Sequence, residues 1–454
     1  MGQVMSASIP PMLGPIMHDL HVGPTEAAHL ANWAILALGF GNVWALPMVA
    51  HVGGRYTMIF GLSIFTACFF WQGGAQSYDS LLAARIVGGL GGGVVESMGP
   101  MIVVMVFPQE YIGRAMSIYT WALGADSVFG PLFAGYMIEG LGSWRYPQFL
   151  FGAISALNML GCIIMFPEPV INMRIVGEPS LPAVWGTSFE TNELEMVGSK
   201  SAIYSEQHEF PATPTTLEIP PTSWTNLWAR RSFFLRFSHH HPINGWLVML
   251  LSPYRVLATP AVMVTVLSFG VSISATIAVS ILVSLTFAEP PLLWSTGLIG
   301  LFNLCVLIGL CAGIPIGGML ADKLIVRFKR RNGCHKPEAA LPLLVPLAIT
   351  TPLTIALSGY GLEYHWHWAV IGVLWAVVNV NLTGGRTILI SYATDIYPEK
   401  AIDIGVVVNV VKNSIAASIS FATIDWWARD GWYMFLVLAL IEFVIFLCGT
   451  SVVL

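Results

Sequence analysis

Twelve apolar runs, most of them about twenty residues or longer and separated by brief polar breaks, constrain this chain more than any other feature. A soluble core has no use for so many, whereas a bilayer crossing needs about 20 mostly apolar residues per helix. The runs fall near residues 28–49, 56–76, 80–107, 115–138 and 148–167, after a shorter one near 4–20. Six more follow near 256–284, 292–317, 341–361, 366–391, 404–424 and 432–453. They are too long and continuous for barrel strands, so the spans are read as helices. Composition agrees: 56% of residues are hydrophobic and 10% charged, against roughly 25% charged in soluble domains.

Lysine and arginine orient the threading. Arg55, Arg114, the six basic residues between 174 and 255, the cluster from Lys323 to Lys336, and Lys400 all fall on one side. Only Arg145 and Arg429 fall opposite, and Arg85, Arg386 and Lys412 lie within spans. Both termini and the central polar region are therefore expected in the cytoplasm. The expected organisation is a six-helix half over 1–167, a polar linker over 168–254, and a second six-helix half over 255–454. The linker is rich in Pro, Ser, Thr and Glu, a composition that favours disorder. The Asn381-Leu382-Thr383 sequon falls inside a span and is not expected to be glycosylated.

Charge inside a span costs roughly 2.5–3.5 kcal/mol on insertion scales, so ionisable residues there normally face a protein interior or a watery path. Arg85, Gly89, Gly92 and Glu96 are spaced to share one helical face. Small residues on that face let a neighbouring helix approach closely. Glu96, near mid-span, is the leading candidate for a proton-carrying carboxylate; a structural hydrogen-bonding role is the plainer alternative. Asp126 lies one turn before Gly130-Pro131, where it can bind a cation or cap backbone freed by the proline. In the second half, Asn409, Lys412 and Asn413 share a face, and Asn379 and Arg386 another. Glu442 sits near the middle of the last span. Lys412 is a candidate partner for Glu442 or an anion contact, and Arg386 and Lys412 also have the option of snorkelling to the membrane surface. Trp144, Trp366, Trp368, Trp426 and Trp427 read as interface anchors.

Other chemistries find no support. The six cysteines are scattered and suggest buried thiols rather than a disulfide framework or metal site. His239-His240-His241 reads as a chance run. Gly88 to Gly93 lacks dinucleotide-loop spacing, and no G-x-x-x-x-G-K-[ST] stretch exists for ATP. No paired nucleophile and base suggest an enzyme. No cofactor, metal or nucleic acid is expected; the expected partners are a small organic solute, protons and the lipid bilayer, and the protein is expected to be monomeric.

In combination and order, several motifs resemble the major facilitator superfamily, in particular its fungal drug:proton antiporter-like branch, which includes polyamine and histidinol permeases. Arg85-Ile86-Val87-Gly88-Gly89-Leu90-Gly91 is similar to the fourth-span signature. Gly130-Pro131-Leu132-Phe133-Ala134-Gly135 is similar to the fifth-span antiporter signature G-P-x-x-G-G. Glu96-Ser97-Met98, Trp144-Arg145, Gly317 through Arg331, and Tyr392-Ala393-Thr394-Asp395 fit the same branch. The resemblance implies a twelve-helix all-α membrane protein exchanging small cationic or amphipathic compounds for protons at the plasma membrane. It leaves room for proton-driven uptake of a polyamine or nutrient, and for a non-transporting sensor or defective paralogue.

Two departures weigh on that expectation. The family's charged loop after the second span, part of a cytoplasmic gating latch, here has Ala50, His51 and Gly54 at charged positions. Met105 replaces an expected aspartate. The remaining gating candidates are Arg55, Asp322, Lys323 and Asp395. The first span, containing Pro10, Pro11 and Pro15, is also short; it is read either as a helix truncated at its start, the favoured reading, or as a short and broken one.

Overall fold

The computed structural model describes residues 4–106, 112–166, 250–251, 253–290, 292–332, 341–397 and 400–453. Most of the central linker, including the His239–His241 run, therefore lies outside the described residues.

Helix dominates, with no strand among the described residues, as expected where backbone groups can be satisfied only within their own segment. The first span is broken in three: α1 (Val4–Ala7), a 3-10 turn (Pro10–Met12) and α2 (Leu13–Leu20). Pro10 and Pro11 have no N–H to continue the ladder, which explains the break. Then come α3 (Pro24–Val52), α4 (Gly54–Gly74), α5 (Tyr78–Val106), α6 (Ile112–Leu141) and α7 (Arg145–Met165). Pro24 opens α3 at a position where its missing N–H costs nothing, and Glu26 reaches back to the Gly23 N–H at 3.1 Å.

The second half opens with a 3-10 segment (Pro253–Ala258) and α8 (Pro260–Thr286). The eighth span is built from α9 (Thr296–Phe302), α10 (Leu304–Ile314), a π-helical stretch (Pro315–Leu320) and α11 (Ala321–Asn332). The last four spans are α12 (Leu344–Glu363), α13 (Trp368–Ile396), α14 (Ala401–Asp430) and α15 (Tyr433–Val453). Nine described stretches are long and apolar enough to cross a bilayer. The broken first span, α6 and α15 complete the twelve. Large apolar side chains such as Phe40, Phe60, Leu157, Ile308 and Val373 face outward, which suits lipid and not water.

Close packing inside each half depends on glycine. A Cβ on Gly89 of α5 would stand 2.6 Å from the Ala34 carbonyl oxygen of α3. In the second half, Gly313 and Gly317 of the eighth span press in the same way on the Val380 and Gly384 carbonyls of α13. Helices so close gain dispersion contacts that lipid cannot replace. The two halves thus solve the same packing problem at corresponding helix pairs, in line with repeated architecture.

Glycine also closes one side of the contact between halves. A Cβ on Gly300 of α9 would lie 2.6 Å from the Pro131 carbonyl oxygen of α6, and Gly135 presses on Thr296. The helix α6 runs on through Pro131. The Gly130-Pro131…Gly135 signature therefore forms a packing seam. At the end of the seam Glu139 accepts hydrogen bonds from the Ser295 hydroxyl and the Gly297 N–H, both at 3.1 Å.

Candidate functional site: a charged centre between the halves

Sequence and packing bring Glu96 of α5 to the plane where the halves meet. It is 4% exposed and pairs with Lys412 of α14, Nζ to Oε1, at 2.9 Å. Its other oxygen accepts long hydrogen bonds from the amides of Asn413 at 3.4 Å and Asn42 of α3 at 3.5 Å. Asn42 is itself oriented: its amide donates to the Leu38 carbonyl, and its side-chain oxygen accepts from the Ser97 hydroxyl. The Tyr119 hydroxyl of α6 donates to the Glu96 carbonyl at 3.1 Å. Two helices, α3 of the first half and α14 of the second, therefore bond this carboxylate, while α6 holds the backbone of Glu96. Where glycine gives α3 its closest approach to α14, a Cβ on Gly39 would lie 3.1 Å from the Asn413 Cβ.

A second polar group lies wholly within the second half. Glu442 of α15, fully buried, accepts from the hydroxyls of Ser268 and Ser272 of α8, each at 2.8 Å. Arg386 of α13 donates to the Ser268 carbonyl and to the Leu382 carbonyl, both at 3.0 Å. Ser268 thus joins the carboxylate and the guanidinium, its hydroxyl to one and its carbonyl to the other. Phe269, the next residue, touches both systems. Its ring lies 4.6 Å from the Arg386 guanidinium and 5.0 Å from the Lys412 ammonium, within the range where a ring face attracts cations.

Several expectations are corrected here. Lys412 pairs with Glu96, not Glu442, because α14 turns that face across to α5 while Glu442 is held by the serines of α8. Neither Arg386 nor Lys412 snorkels: both are at least 96% buried, and each has partners deep in the bundle. Trp144 is no interface anchor. It is 2% exposed and donates to Asp19 at 3.0 Å, while Arg145 pairs with the same carboxylate at 2.8 Å. That group ties the end of α2 to the start of α7. Trp366 and Trp368 are exposed, whereas Trp426 and Trp427 pack partly buried against the core of the second half.

The remaining candidates take other places. Arg85 is fully buried and donates to the Met5 carbonyl at 2.6 Å. That carbonyl lies in α1, just before the proline break. Gly92 is buried with it on α5. Asp126 is half-buried on α6, near the level where Gly124 meets Leu310 of α10. Asn379 is buried, and its amide donates to the Trp375 carbonyl at 2.8 Å, away from the Glu96 pair. Asn381 is 6% exposed. Among the gating candidates, Arg55 donates to the Ile163 carbonyl at 2.8 Å, capping α7 inside its own half, and Lys323 is exposed. The side chains of Asp322 and Asp395 lie outside the described residues. Among those described, no group of three or more potential metal ligands occurs, and Cys68, Cys162, Cys305 and Cys311 are free thiols. A depression of roughly 570 Å³ bounded by Glu363, His365, Trp427 and Arg429 sits at the ends of α12 and α14 and includes none of the charged centre.

Asn42, Tyr119, Ser268, Phe269, Ser272 and Glu139 were not anticipated. The Ser268–Ser272 spacing of one helical turn, in an otherwise apolar span, was the one signal available.

Sets of membrane-spanning helices meeting at a charged, buried plane fit the plan of membrane transporters built from repeated halves. Comparison with known proteins agrees. Residues 2–421 match the Major Facilitator Superfamily. The chain is 25% identical to "Probable efflux pump mfs2" of Aspergillus flavus, over 89% of this chain and 87% of that protein. It is 21% identical to "Protein HOL1" of Saccharomyces cerevisiae, over 88% of this chain and 74% of that protein. Against "MFS transporter cpaT" of Aspergillus oryzae identity is 23%, over 94% and 78% of the two chains. The chain belongs to the major facilitator superfamily. It is a multi-pass membrane transporter of small solutes.

Proposed function

We propose that the protein is a proton-coupled antiporter exporting small organic cations or cationic amphipaths across the plasma membrane, as a monomer with cytoplasmic termini and linker. The observation that carries this reading is the Glu96–Lys412 pair, buried and divided between the halves. A charge pair spanning the moving interface must be remade whenever the halves rock, so its occupancy and the access state are coupled. At low dielectric a carboxylate there attracts cations strongly. Glu96 is the carboxylate at which cation binding and proton movement meet. The efflux function named for the Aspergillus flavus relative supports export. Arg85, Asp126, Asn379 and Glu442 serve as supporting groups rather than the exchange site. Arg55 acts as a helix-end cap, with the Gly130-Pro131 seam holding the opposite side.

The test uses proteoliposomes with a trapped pH dye. Addition of organic cations is expected to drive proton movement in the wild type and in His240→Ala, and to fail in Glu96→Gln. Proton movement undiminished in Glu96→Gln overturns the assignment of the site. No flux for any organic cation overturns the antiport reading.

A further inference from the structure

We propose that α11 is a lipid-docking element, whose basic side holds the anionic headgroups of phospholipids in the leaflet at that end of the bundle.

The eighth span sets the depth. Exposed apolar side chains run along it from Leu298 and Leu301 through Ile308 to Met319 and Leu320. From Leu298 to Leu320 the helix rises about 33 Å at ~1.5 Å per residue, close to the ~30 Å of bilayer hydrocarbon. It continues past that limit as α11, whose sequence ADKLIVRFKRRN holds five basic residues and one acidic. Lys323 and Arg327 are the next exposed side chains among the described residues. They stand about 5 and 10 Å beyond Leu320 along the axis, and headgroups fill roughly the first 5–8 Å outside the hydrocarbon.

Rotation agrees with depth. Met319, Lys323 and Arg327 are spaced i, i+4, i+8, so the basic side continues the lipid-facing side of the span. Helical spacing adds positions 330 and 331, both arginine, to that side. The other side is pinned: Leu324, Ile325 and Phe328 are half-buried, and Ile325 packs against a core that includes Leu344, Leu389 and Tyr392. With its apolar side held there, α11 presents its cations away from the bundle. Asp322, the one acidic residue, stands about 100° around the helix from Lys323.

Nothing among the described residues takes up these charges. Neither Lys323 nor Arg327 has an ion pair or hydrogen bond there. The end of the first half differs, since Arg55 of α4 is buried and donates to the Ile163 carbonyl. Cations at headgroup depth, with no acceptor from the protein, complement the phosphate and carboxylate groups of an anionic lipid. A guanidinium fork matches a phosphate in particular, and each basic residue near an anionic membrane surface strengthens attachment about fivefold. In the orientation proposed above this is the cytoplasmic leaflet, which carries the anionic lipids.

The test is a titration of the purified full chain, held in phosphatidylcholine–detergent micelles, with dioctanoyl phosphatidylserine. The wild type is expected to bind it and to show no response to dioctanoyl phosphatidylcholine. Lys323→Gln with Arg327→Gln should weaken binding about 25-fold, and either single variant about fivefold; the single variants decide the matter if the double variant does not fold. Lys323→Arg with Arg327→Lys keeps both charges and should bind within about threefold of wild type. Added salt should weaken the wild type more than the double glutamine variant. Glutamine variants that bind as well as wild type, or equal response to phosphatidylcholine, overturn the proposal. Glycerophosphoserine binding as tightly as the lipid would overturn it in favour of a soluble-anion site. Micelles expose every headgroup, so these outcomes are independent of orientation and of transport. Absence of cation-driven proton flux in wild-type vesicles would fail the antiport reading and leave lipid docking standing.

Discussion

The two buried polar systems of this transporter use the same residue types to different ends. Glu96 and Lys412 form a direct ion pair with one partner in each half. Glu442 and Arg386 both belong to the second half and are joined through Ser268, with one carboxylate oxygen, Oε1, accepting from the two serine hydroxyls and the other, Oε2, buried without a hydrogen-bond partner. A pair divided between halves is broken or remade by rigid-body rocking, whereas a network inside one half moves as a unit with it. In the function proposed above, location relative to the boundary between the halves, rather than charge alone, separates an exchange site from a structural brace. The Phe269 ring is within cation–π reach of a cation from each system.

The comparison can be broken most forcefully at Lys412. Substituting methionine leaves Glu96 buried without its ammonium, so stability in detergent should fall by about 3–5 kcal/mol, while Glu96→Gln with Lys412→Gln together should restore most of it. Equilibrium unfolding of the three proteins checks this; a double variant as unstable as the single would mean that the pair is not the source. Next in size, Glu96→Gln should lower cation-driven proton flux by about a hundredfold, equivalent to ~2.7 kcal/mol. The vesicle assay reads it directly.

The second system should respond differently. Glu442→Gln is expected to cost about 1–3 kcal/mol of stability while flux stays within about tenfold of wild type. A loss of flux matching that of Glu96→Gln would erase the distinction between exchange site and brace. The smallest effect belongs to Ser272→Ala, which removes one of two donors to Glu442 and should cost about 0.5–1.5 kcal/mol, again with flux retained. If Ser272→Ala impaired flux more than stability, Glu442 would have to be counted among the moving charges.

Much of this arrangement was legible along the chain, and the reasons for the exceptions are instructive. The shared face of Arg85, Gly89 and Glu96 follows from helical periodicity, and the structure buries all three. Lys412 and Asn413 likewise emerge on the face they were expected to share, and both reach Glu96. The choice of Glu96 over Glu442 as partner was not legible, because it joins positions 316 residues apart and depends on how α14 is rotated against α5. The burial of Trp144 was missed for a related reason: a tryptophan at a span end suits lipid headgroups equally well, and only Asp19, on a helix far away in sequence, draws it inside. The Gly-Pro signature could be recognised, but its service as a seam against α9 required knowing which helix lies opposite.

Hydropathy, charge order and helical spacing therefore suffice for the class of this protein, its twelve crossings and the faces on which its charges lie, since these depend on lipid solvation and on chemistry within one helix. Partner identity is another matter. Whether a buried cation answers a carboxylate across the boundary, a carbonyl in a broken first span or a capped helix end is decided by helix rotation and close approach. Those are properties of the packed bundle, in which dispersion between glycine-lined surfaces and the cost of leaving any buried charge unpaired are settled together.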